Sequence, residues 1–144
     1  MRGPIRALAL VASLALLAGT ASASAQNRPG PCALDQRDGE TMRQHSKRLI
    51  RCAVDRWPVH GGATKAICIA DVESGLNPDA RSAGGTYLGL FQHSAELWPD
   101  RYDTWTRRAW ELDESALSGR TNTIVTIRMV NASGWGSWAG VGDC

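Results

Sequence analysis

The amino-acid sequence predicts a small, mainly helical domain with a short irregular hairpin, held by two disulfides. Three observations predict it. Segments 40–56 and 63–74 contain no Pro or Gly and carry apolar residues at helical spacing. Segment 82–89 is rich in Gly and reads as a loop or irregular hairpin. Four cysteines, Cys32, Cys52, Cys68 and Cys144, are an even number in a short chain.

The start of the chain reads as a signal peptide over residues 1–25. Arg2 and Arg6 precede an apolar run over 7–18. Ala21-Ser22-Ala23 and Ala23-Ser24-Ala25 then offer two overlapping cleavage sites. The run is short for a membrane span, so cleavage and export are expected, with no integral span afterwards. The remaining chain of about 119 residues is one domain by size. Residues 26–38, with Pro29, Gly30 and Pro31, read as an N-terminal arm, and residues 39–144 as the domain. Without Arg2 and Arg6 the chain has 14 basic residues against 14 acidic. That balance argues against a nucleic-acid binder, which normally carries a basic excess. A monomer is the default expectation.

In an exported chain the cysteines are expected to pair. No two have C-x-x-C spacing and His45, His60 and His93 are scattered, so a metal site is disfavoured. Three connectivities exist. The preferred one is Cys32–Cys52 with Cys68–Cys144, tying the arm to the first helix and the chain end to the second.

The first helix, 40–56, gathers Met42, Leu49, Ile50, Ala53, Val54 and Trp57 on one face and ends at Trp57-Pro58. The second, 63–74, places Ala66, Ile69, Ala70 and Glu73 on one face. Ile67, Cys68 and Val72 cover others, so it is expected to be the central, buried helix. Gly75 stops it. Helical turns are expected at 94–97 and 104–110. Segment 121–132 is β-branched at 123–127, which favours a strand, but it is long for a lone strand. A helix is expected there, with Asn122 as a candidate cap.

Glu73 is the most informative side chain. Apolar neighbours and the negative end of a helix dipole both favour its protonated form, which suits a general acid. Six tryptophans are many for this size. Most are expected in the core, with one or two at a cleft where indole faces can stack on sugar rings. Gln92 follows the apolar run Leu88-Gly89-Leu90-Phe91, and its amide suits an N-acetyl or hydroxyl group. His93 is expected at the surface or behind the cleft, not as a base. Asn131-Ala132-Ser133 matches a glycosylation sequon, a triplet common by chance.

Together these residues resemble a known family. Segment 73–82, Glu-Ser-Gly-Leu-Asn-Pro-Asp-Ala-Arg-Ser, resembles the E-S-G-x-N-P-x-A-x-S signature of lysozyme-like lytic transglycosylases. Segment 84–92, ending Gly89-Leu90-Phe91-Gln92, is similar to their G-x-x-G-L-M-Q loop, with Phe for Met. Asn122-Thr123-Ile124 resembles the opening of a later helix. Gly134-Trp135-Gly136-Ser137-Trp138 followed by Cys144 resembles the closing segment of resuscitation-promoting factors, which share that fold. Val130-Asn131-Ala132-Ser133-Gly134 stands where transglycosylases carry A-Y-N-A-G, so no Tyr comes from that helix.

The resemblance implies a lysozyme-like α+β domain with a glycan cleft. It implies cleavage of the β-1,4 bond between N-acetylmuramic acid and N-acetylglucosamine in peptidoglycan. Glu73 matches the catalytic acid and base that leaves 1,6-anhydro-muramyl ends. Ser82 and Gln92 match positions lining the cleft, and Tyr87 is a further candidate. The Cys68–Cys144 pairing fits the resuscitation-factor pattern. No metal or organic cofactor is implied. The expected partner is peptidoglycan, outside the cytoplasm. Two alternatives stand beside this reading: a hydrolytic muramidase on the same bond, and a non-catalytic peptidoglycan-binding module. Hydrolysis would need a second carboxylate. Asp79, Glu96, Asp100 and Asp103 are candidates, with Asp79 nearest on the turn after the helix.

Overall fold

Thr41 starts the first helix, α1 (Met42–Arg56), through a capping box. Gln44 N–H donates to Thr41 Oγ1 at 3.2 Å, and Thr41 N–H donates to Gln44 Oε1 at 2.8 Å. Leu49, Ile50, Ala53 and Val54 are buried along one face, while Met42 is exposed. The structure, a computed structural model, describes residues 30–144. The expected signal peptide and the first residues of the arm lie outside the described residues.

The second helix, α2 (Gly62–Ser74), ends at Gly75, whose φ of 64° is the left-handed turn glycine tolerates. The hairpin is short: β1 (Tyr87–Leu88) pairs antiparallel with β2 (His93–Ser94). Next come α3 (Trp98–Trp105) and α4 (Gly119–Ser133), with 3-10 turns at Arg108–Trp110 and Gly136–Trp138. Among the described residues no helix is long and apolar enough to cross a membrane.

Three expectations need correction. The central helix is α4, not α2. Residues 121–127 of α4 are buried all round, whereas Val72 of α2 is 66% exposed. The burial was masked because α4 is rich in Thr and Asn, residues usually found at the surface, yet Thr121, Asn122, Thr123 and Thr126 are all buried. Thr126 Oγ1 donates to Asn122 O at 2.8 Å. Second, Asn122 is no cap. Ser118 fills that position, accepting from Thr121 N–H. Third, the turns expected at 94–97 and 104–110 flank a real helix, α3. Pro99 sits in its first turn, where a missing N–H costs nothing.

One core joins α1, α2 and α4 through Ile50, Ala53, Ile69, Ala70 and Ile127, closed by Leu90, Phe91 and Trp138. A smaller cluster seats Trp98 of α3 and Ala116 against Val125 of α4. The disulfides are Cys32–Cys52 and Cys68–Cys144. The arm is fastened further by Arg48, whose guanidinium bridges Glu40 at 2.6 Å and Asp35 O at 2.7 Å. Trp57, Trp105 and Trp110 surround Arg128, whose guanidinium carbon lies 5.7, 6.0 and 5.2 Å from their ring centroids. These cation–π contacts bind the end of α1 and the α3–α4 connection to α4.

Candidate functional site

Glu73 sits one residue before the end of α2, at the edge of the buried face. Burial pushes its carboxyl above the usual glutamate range. The next residue anchors the helix end: Ser74 Oγ donates to Leu90 O at 2.7 Å, and also lies 3.0 Å from Ala70 O. That contact draws the 88–92 loop against α2.

The loop is held from three sides. Asn122 Oδ1 of α4 accepts from Phe91 N–H at 3.0 Å, and its Nδ2 donates to Ala116 O at 2.8 Å. Trp138 Nε1 donates to Phe91 O at 3.0 Å. Gly89 passes so close to this network that a Cβ there would lie 2.1 Å from Ala116 O. The loop delivers Gln92, at a left-handed φ of 48° that side chains seldom adopt. Its Nε2 donates to Gly89 O at 2.9 Å and Ala80 O at 3.3 Å. The amide nitrogen is thereby committed to backbone, and the amide oxygen is left to accept.

Glu73, Tyr87, Gln92, Ser137 and Trp138 line one cleft of about 260 Å³. A second hollow of about 310 Å³ shares four of those five and adds Ser94, Leu97 and Arg101. The two form one groove with Glu73 at one end and Arg101 at the other. Tyr87 and Leu97 expose 48% and 46% of their surface there, unusual for such side chains and suited to sugar-ring faces. A larger cavity, of about 500 Å³, lies between the arm, α1 and the start of α4, and holds none of Glu73, Tyr87 or Gln92.

The structure therefore brings together three of the four residues expected at the site. Ser82 is not among the lining residues. It works from behind, accepting Tyr87 N–H on its Oγ at 2.9 Å and donating its own N–H to Tyr87 O at 3.0 Å. Of the other carboxylates considered, Asp79, Glu96 and Asp100 are exposed and outside the groove, and Asp103 lines a different hollow with Trp98 and Tyr102. Glu73 is the one carboxylate lining the groove among the described residues.

Sequence reasoning missed Arg101 and Ser137 as lining residues. It also left His93 between two places. His93 is fully buried, behind the cleft and not at the surface. Its ring stands edge-on to Trp98 and Trp138, with centroids 5.1 and 5.5 Å away. Among the described residues no group of three or more His, Cys, Asp or Glu side chains is placed to hold a metal ion. No family model, curated protein or solved structure matches the chain.

Proposed function

We propose that this protein cleaves the glycan strands of peptidoglycan outside the cytoplasm, as a lytic transglycosylase with Glu73 as general acid and then base. The observation that carries the reading is a partly desolvated carboxyl, the one carboxylate among the described residues to line a groove with aromatic and amide walls. The motif series around Glu73 and Gln92 supports it. The two disulfides suit an oxidising compartment.

The chemistry follows from one carboxyl. Protonated Glu73 donates its proton to the glycosidic oxygen, and the bond from that oxygen to the muramyl C1 breaks. Charge at C1 is met by the substrate's own N-acetyl oxygen, which closes onto it. The carboxylate left on Glu73 then takes the proton of the muramyl 6-hydroxyl. That oxygen displaces the N-acetyl oxygen at C1 and closes the 1,6-anhydro ring. No water is consumed, and Glu73 ends protonated as it began. Gln92 accepts the N-acetyl N–H on its free amide oxygen. A hydrolase of ordinary type would use a second carboxylate roughly 5–9.5 Å from the first, and among the described residues no other carboxylate lines the groove.

The test is a digest of purified peptidoglycan, read by mass spectrometry beside Glu73→Gln. Anhydro-muramyl ends are expected from the natural chain. The variant should be slower by about 10²–10⁴-fold with its thermal midpoint preserved. Reducing muramyl ends would replace this reading with hydrolysis. Binding to sacculi without any released fragment would replace it with a glycan-binding module.

A further inference from the structure

Arg101 is a charge without a counter-charge among the described residues. It lines the groove at the end away from Glu73, and among the described residues no carboxylate lies within ion-pair distance of it. One of its five N–H donors is spent: Nη1 donates to His93 Nδ1 at 2.9 Å. The remaining donors are available to the groove.

His93 fixes where that guanidinium sits without neutralising it. Burial first, and the Arg101 charge second, lower its pKa to about 3, so the imidazole is neutral. With Nδ1 accepting from Arg101, the proton sits on Nε2 and is donated to Thr126 Oγ1 at 2.7 Å. The Thr126 hydroxyl in turn donates a hydrogen bond to Asn122 O. Asn122 is the residue that holds the Gln92 loop. Hydrogen bonds thus link Arg101 through His93 and Thr126 to the backbone of Asn122, whose side chain holds the loop. A partly buried guanidinium with no anion is costly to maintain, and its planar fork matches a carboxylate.

We infer that Arg101 binds a carboxylate of the glycan strand, seated at the end of the groove opposite Glu73. The inference rests on the glycan reading above and names what selects the strand. Two groups on such a strand carry this chemistry: the lactyl carboxylate of a peptide-free muramyl residue, and a carboxylate of the stem peptide. Leu97, Tyr87 and the Trp138 edge supply apolar walls between the two ends. Arg101 acts as a specificity residue, distant from the reacting bond.

The experiment measures binding on the Glu73→Gln background, so that no probe is cut. Five probes are used: peptide-free muramyl glycan, peptide-bearing muramyl glycan, each of these after its carboxylates are converted to amides, and chitin oligosaccharide as a carboxylate-free strand. The expected result is a carboxylate form that binds about tenfold or more tightly than its amide form. Arg101→Gln should erase that preference while leaving chitin oligosaccharide binding unchanged. Arg101→Lys should restore part of it. A preference seen with peptide-free glycan assigns the lactyl group, and one seen only with peptide-bearing glycan assigns the stem. Equal affinity for carboxylate and amide forms would overturn the inference and leave the glycan reading standing. So would an Arg101→Gln variant that loses chitin oligosaccharide in equal measure, since Arg101 would then only be holding the groove open. A Glu73→Gln protein that binds neither glycan nor chitin oligosaccharide would overturn the glycan reading, and the inference with it.

Discussion

Gly89 holds φ at +78°, and a Cβ added there would lie 2.1 Å from Ala116 O and 2.4 Å from Asn122 Nδ2. Neither neighbour can give way. The carbonyl is backbone, and the amide is committed to Ala116 O and Phe91 N–H. Gly89→Ala should therefore cost at least about 2 kcal/mol in denaturant unfolding, from overpacking and a strained φ together. It should also displace Gln92. A variant as stable as the natural chain would refute this account of the loop. Gln92 shows the same economy of backbone: its own φ of 48° is strained, and its side-chain nitrogen repairs the turn by bonding Gly89 O and Ala80 O.

At the scale of elements, α4 organises the molecule through one polar side chain. Asn122 is fully buried and serves both the 88–92 loop and Ala116. Asn122→Ala would leave a buried N–H and a buried carbonyl unpaired. A loss of about 2–4 kcal/mol is expected, measured by chemical denaturation, with α1 and α2 still helical by circular dichroism. A loss under about 1 kcal/mol would mean that water replaces the amide. This residue also marks where the sequence stopped being legible. Asn at the start of a helical segment is a cap far more often than a buried strut, and nothing local distinguishes the two. The first two helices were readable because their apolar spacing and stops are local: Trp57-Pro58 and Gly75 act on their immediate neighbours. Which helix becomes central is a tertiary property. Val72 is exposed because the partners of α2, chiefly α1, cover one side of it.

For the whole molecule, acid is the expected weakness. His93 stays neutral in the fold down to about pH 3, while an imidazole in the unfolded chain protonates near 6.5. Between those values the unfolded state binds more protons, so stability falls as pH falls, by up to about 1.4 kcal/mol per pH unit. Glu40 opens a lower window. The Arg48 guanidinium, helped by the Arg37 N–H, holds its carboxyl at about 2 against an ordinary 4.5. Its contribution is complete above 4.5 and is lost as pH drops toward 2. The thermal midpoint should therefore decline from about pH 6.5 downward, and in His93→Gln only from about pH 4.5. A midpoint that is level from about pH 6 to about pH 4.5 in the natural chain would count against a neutral, buried His93. Glu73 and Gln92 were legible in the sequence as parts of motifs. Arg101 was not, because its meaning depends on His93 and Thr126, which only folding brings to it.

The tail adds a constraint of timing. A chain is made from its N-terminus, so Glu73, Tyr87 and Gln92 exist before Ser137 and Trp138, which form the facing wall. Trp138 packs into the core beside α2, and the Cys68–Cys144 bond beyond it adds a covalent tie to α2 that chain-entropy arguments put at about 4.5 kcal/mol. The groove thus needs segments more than sixty residues apart to meet. Reduction of Cys68–Cys144 is therefore expected to loosen the wall that faces Glu73 and not to remove it, since Trp138 keeps its seat against Phe91.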